Sequence, residues 1–92
     1  MYNKGKYVVG EIGLGNGSSN LGAIVISEAF AHGDLRKMFI PGSIVGAGFF
    51  DIDHEGRVRV YDRSAGLGVG SRPEDARHVA RAVGLSNVHT YP

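Results

Sequence analysis

His32 sits in the segment Ala31-His32-Gly33-Asp34-Leu35, just upstream of a helical pattern that must end near Phe39 because Pro41-Gly42 follows. If the helix starts near Gly33 after a short turn containing His32, the unpaired N–H groups of Gly33 and its neighbours point into the same space as the imidazole. An anion is welcome there. Backbone donors and the helix dipole can hold a phosphoryl group while the imidazole attacks it or removes a proton from water. If instead Ser27 caps a helix that begins at Glu28, His32 falls inside that helix and the convergence is lost. Taken alone, a turn histidine more often serves as a helix cap.

The remaining residues narrow the chemistry. None of the four histidines stands in an HxxxH or HxH arrangement that would put two imidazoles on one metal, so no metal or other cofactor is expected. His54 lies in a turn, His78 is flanked by Arg77 and Arg81, and His89 is near the end of the sequence, which suits solvated or capping roles. Gly13-x-Gly15 precedes a strand where a dinucleotide fingerprint needs a helix, and Gly66-x-Gly68-x-Gly70 has the wrong spacing and no βαβ unit around it. Both clusters read as bends and close backbone packing. The absence of cysteine removes thiolate chemistry, disulfides and Cys-based zinc sites together, and fits a cytoplasmic protein.

The elements that must position His32 follow from periodicity. Tyr7 to Ile12 and about Leu21 to Ile26 predict two strands joined by a glycine-rich loop, hence antiparallel neighbours. Leu35, Met38 and Phe39 predict the first helix. Ile44 to Ile52 and Arg57 to Asp62 predict a hairpin around Asp53-His54-Glu55-Gly56. Alternation there puts Val58 and Val60 on the core face and Arg57 and Arg59 on the solvent face. A capping box, Ser71-Arg72-Pro73-Glu74, signals a second helix with an apolar stripe of Ala76, Val79, Ala80 and Val83 and a stop at Gly84. Val88 to Tyr91 can add a last strand. The expected fold is α/β in the broad sense (α+β), a mixed sheet with two helices in the order β-β-α-β-β-α-β.

At 92 residues the chain is one domain, 1–92, burying only about 60–65% of its unfolded surface. Stability should then be marginal, and a homodimer is one way to bury more; the sequence leaves this open. A net charge of +1 gives no pull toward nucleic acid or anionic lipid, so neither is expected as a partner. The N-terminal residues Met1 to Lys6 lack the apolar stretch of a signal peptide, and the longest apolar run, Ile44 to Phe50, falls far short of the roughly 20 residues that span a bilayer.

Four short motifs, in order and at similar separations, resemble the protein histidine phosphatase (Janus/Ocnus) family over almost the whole chain. Lys6-Tyr7-Val8 resembles the family's lysine-bearing first strand, and His32-Gly33-Asp34-Leu35 its His-Ala-Asp-Ile segment at a helix start. Val45-Gly46-Ala47-Gly48 resembles its Leu-Gly-Gly-Gly strand, and Val60-Tyr61-Asp62-Arg63-Ser64-Ala65-Gly66 its Val-Tyr-Gly-Tyr-Ser-Met-Ala segment.

The resemblance implies a metal-independent hydrolase, a phosphohistidine phosphatase with His32 as the catalytic residue. Ser64 and the N–H groups of Gly33 and Gly66 would bind phosphate, Lys6 would add positive charge, and the substrate would be a phosphorylated protein or a small phosphoramidate. Ile24, Phe49 and Glu11 stand where the family has arginines, which implies a weaker grip on phosphoproteins. Two other expectations compete: a phosphate-binding module without turnover, and a subunit that uses the apolar region around Phe49 and Phe50 for a partner. On their own, Lys6 suits a solvated strand start and Ser64 a turn hydroxyl bonded to backbone.

Overall fold

A computed structural model of the protein describes residues 3–84 and 89–90. Its longest strands, β1 (Lys4–Gly13) and β2 (Ser19–Ile26), pair antiparallel from Lys6↔Ile26 to Gly13↔Ser19. Gly15 and Gly17 turn the chain between them in left-handed conformations, at φ +80° and +87°, that other residues adopt at a cost. Strand β3 (Gly46–Ile52) lies antiparallel on the other side of β1, and β4 (Arg57–Tyr61) follows it through the expected Asp53–Gly56 turn. The Asp53 carboxylate closes that turn by accepting the amides of Glu55 and Arg57, both at 2.9 Å. A parallel partner for β4 comes from residues 89–90, and the resulting mixed sheet runs β2-β1-β3-β4 and then that strand. The rest of the predicted last strand lies outside the described residues.

Both faces of the sheet are covered, and strand alternation assigns each side chain to its layer. Tyr7, Val9, Phe50 and Val58 meet Ala76, Val79 and Ala80 of an α-helix, α1 (Asp75–Ala82). Val8 and Ala47 on the opposite face meet Leu35 and Phe39, with Ile24, Leu67 and Val69 packed around them. Burial of each such side chain stabilises the fold by roughly 1.5–3 kcal/mol before the entropy cost is counted. Coverage on both sides explains how adjacent residues Phe50 and Phe49 can be fully buried and half-buried respectively. Among the described residues, no helix is long and apolar enough to cross a membrane.

Three local expectations change. The first helix is a 3-10 helix, His32–Met38, and Ser27 does not cap it; the Ser27 hydroxyl accepts the Ala29 amide within a preceding turn. The capping box of the second helix does not form around Ser71. Its reciprocal arm sits one residue later, where Asp75 accepts the Arg72 amide at 3.0 Å, and α1 therefore begins at Asp75. The expected order has no strand between Asp62 and the second helix; a short separate hairpin, β5 (Arg63–Ser64) with β6 (Val69–Gly70), forms there around the glycine bends.

Candidate functional site

The site is built on one lateral row of the sheet. Register places Lys6 of β1 beside Phe49 of β3, and Phe49 beside Tyr61 of β4. On that row the Phe49 and Tyr61 rings stack with centroids 6.0 Å apart, the Lys6 ammonium stands 5.8 Å from the Phe49 centroid, and the Arg59 guanidinium stands 4.7 Å from that of Tyr61. Arg59 also pairs with Asp51, so its charge is already matched. Burial first, and then the Asp51 carboxylate, push the Tyr61 phenol above its usual pKa and keep it protonated.

His32 opens the 3-10 helix and is almost wholly buried, 7% exposed. Its ring meets the edge of Phe49 at right angles, with centroids 5.5 Å apart, and Nε2 lies 2.6 Å from the carbonyl oxygen of Gly48. A carbonyl can only accept, so Nε2 must carry the proton. In the neutral ring the lone pair is then on Nδ1. Among the described residues none hydrogen-bonds Nδ1, and no side-chain nitrogen or oxygen sealed from solvent is left without a partner, which together place Nδ1 at the solvent-accessible edge of the ring.

Lys6 and His32 thus share Phe49, and the Lys6 ammonium also donates to the Phe30 carbonyl at 2.7 Å just before the helix. The Gly33 amide, adjacent to His32, has no acceptor among the described residues. Ser64 is 1% exposed and belongs to the β5–β6 turn, where its hydroxyl oxygen accepts the Leu67 amide at 3.2 Å. No hydrogen bond joins Ser64 to His32. The turn is nonetheless fastened to the helix that carries His32, because Arg36 donates to the Gly66 carbonyl at 3.4 Å.

The three positions without the resembling family's arginines separate in space. Ile24 lies in the apolar layer with Val8 and Leu35, Phe49 is the ring shared by Lys6 and His32, and Glu11 falls on the opposite face by strand alternation, its carboxylate taking the Ser19 hydroxyl. Two other histidines stay apart from the site. His54 is exposed in its turn, and His78 is half-buried on α1, where burial lowers its pKa. Among the described residues no three His, Asp or Glu side chains gather where a metal ion could sit.

Sequence reasoning missed Phe49 as the shared ring and Gly48 as the partner of the imidazole. The first was recoverable: the Asp53–Gly56 turn fixes the hairpin register and so pairs Phe49 with Tyr61. The second carried no signal, since every residue offers a carbonyl. No model of a known protein family, no curated protein and no solved structure matches the chain.

Proposed function

We propose that this domain removes a phosphoryl group from phosphohistidine or a related phosphoramidate, with Nδ1 of His32 as the acting atom and no metal. The observation that supports it is the 2.6 Å contact between His32 Nε2 and the Gly48 carbonyl, which leaves a lone pair on a solvent-facing Nδ1. That nitrogen either attacks phosphorus or takes a proton from an attacking water. In both cases the P–N bond breaks, its electron pair stays with the leaving nitrogen, and that nitrogen is protonated from solvent. If Nδ1 has taken the phosphoryl group, water then hydrolyses it to inorganic phosphate and restores the ring.

Lys6 and the Gly33 amide supply positive charge and a donor beside the imidazole. On this reading Ser64 and the Gly66 amide are further donors, from the turn that Arg36 holds. Ser64, 1% exposed, reaches a phosphate only where that turn moves; toward Leu67 its oxygen acts as an acceptor, which leaves its O–H to donate. The partner is a phosphorylated protein or small phosphoramidate in the cytoplasm, the compartment that a chain without cysteine suits.

Inorganic phosphate released from phosphohistidine tests the reading on the full chain. His32→Ala is expected to lower the rate by at least about 100-fold, the usual scale for loss of a positioned base or nucleophile, with an unchanged circular dichroism spectrum. Equal turnover by the two proteins would reject it. A second reading, phosphate binding without turnover, is favoured by the places of Ile24 and Phe49, which leave the site short of cations. It predicts saturable phosphate binding by a protein that releases none from phosphohistidine.

A further inference from the structure

At the C-terminal end of the 3-10 helix lies a cavity of about 610 Å³, which His32 does not line. We propose that it binds a small amphipathic carboxylate, with the apolar chain inside and the carboxylate on Arg36 and Lys37. The volume falls in the range of roughly 300–1,000 Å³ typical of small-ligand pockets. Phe39, Ile44, Leu67 and Val69 make the walls apolar, and Ile40 adds a side chain 40% exposed to solvent.

Charge selects the ligand's head. Arg36 and Lys37 line the cavity, and among the described residues no acidic side chain lines it and neither cation has an ion-pair partner. Two cations beside an apolar hollow favour an anionic head on an apolar body, and the planar Arg36 guanidinium suits the two oxygens of a carboxylate.

The walls are also fixed in advance, which spares a ligand part of the ordering cost of binding. Arg36 ties the helix to the turn bearing Leu67 through the Gly66 carbonyl. The Pro41-Gly42 turn is closed by Ser43, whose amide and hydroxyl both reach the Ile40 carbonyl, at 3.0 and 2.7 Å. The same hydroxyl accepts the Glu11 amide at 2.9 Å, and the Ile40 amide donates to the Glu11 carbonyl at 2.8 Å, so this wall is pinned to β1.

Titration of the ¹⁵N-labelled full chain with decanoate, and separately with the uncharged decanamide, tests the proposal. Decanoate should bind at least tenfold more tightly, with amide shifts centred on Ile44, Leu67 and Val69. The double variant Arg36→Gln/Lys37→Gln should reduce decanoate to the affinity of decanamide, with its other spectral changes confined to the Gly66 turn that Arg36 no longer ties, and Lys37→Gln alone, which keeps that tie, should weaken decanoate and leave decanamide unchanged. Equal affinities in the parent protein, undiminished decanoate binding by the double variant, or shifts that leave these three amides untouched would each overturn it. So would a dimer by light scattering whose dissociation on dilution shifts the same amides, because a second copy would then be the occupant.

Discussion

An imidazole acts through whichever nitrogen carries a lone pair, and at His32 the backbone makes the choice. The Gly48 carbonyl requires a proton on Nε2, so in the neutral ring Nδ1 is the nitrogen with the lone pair that the proposed reaction needs. This makes the exact path of β3 part of the chemistry. A Cβ on Gly48 would come within 2.6 Å of the Tyr61 carbonyl oxygen and 3.2 Å of Ser71, on the face away from His32, and the strand would have to move. Gly48→Ala is therefore expected to cost about 1–3 kcal/mol of stability in urea unfolding and to reduce phosphate release, although the added methyl faces away from His32. At this scale His32 stood out through its place before a helix, whereas Lys6 entered only through the family resemblance, since on its own it suits a solvated strand start. Gly48 was not legible, because only tertiary geometry singles out one carbonyl.

The elements were legible where periodicity is strong and illegible where a distant partner decides. Ala76, Val79 and Ala80 of α1 point inward as the 3.6-residue stripe predicts, whereas the helix start shifts to Asp75, whose carboxylate takes the Arg72 amide and a distant hydroxyl that no local rule anticipates. Asp75 is fully buried and accepts the Tyr7 hydroxyl at 2.7 Å, the Arg72 amide at 3.0 Å and the Arg72 guanidinium at 2.7 and 2.9 Å. Tyr7 and Asp75 are 68 residues apart in sequence, so the clasp that fastens α1 to the sheet is invisible to a window of any helix length.

The first helix differs for a local reason. His32 and Leu35, its buried residues, are three apart, the repeat of a 3-10 turn, and Phe39 leaves the helix in an extended conformation to reach the same core. The clasp also gives the fold an alkaline limit. Burial, and then the Asp75 carboxylate, push the Tyr7 phenol far above its ordinary pKa of 10.0, so the folded chain keeps a proton that the unfolded chain releases. Stability should be intact below pH 10 and fall above it by up to about 1.4 kcal/mol per pH unit. Urea unfolding of Tyr7→Phe should show a shallower decline over that range. An unchanged slope would mean that Tyr7 does not supply it.

For the molecule as a whole, one sheet serves two cores and has no side that faces only water. Alternating valines announced the side covered by α1. The other side was harder to read, because its cover is assembled from pieces as separate as Leu35, Ile44, Leu67 and Val69, none of which belongs to a long amphipathic element. Since Val8 and Val9 of β1 serve opposite layers, the layers should unfold together. Leu35→Ala is expected to cost about 2–5 kcal/mol, with far-ultraviolet circular dichroism and tyrosine fluorescence reporting one coincident transition. Two separated transitions would show that the cores are independent.

The site, the sheet and both layers meet at the tautomer of one ring. Long-range ¹H–¹⁵N correlation of the His32 imidazole at a pH where it is neutral reads that tautomer directly. The account predicts a protonated Nε2 and a bare Nδ1 whose resonance moves when a phosphoramidate is added; a proton on Nδ1 would contradict it.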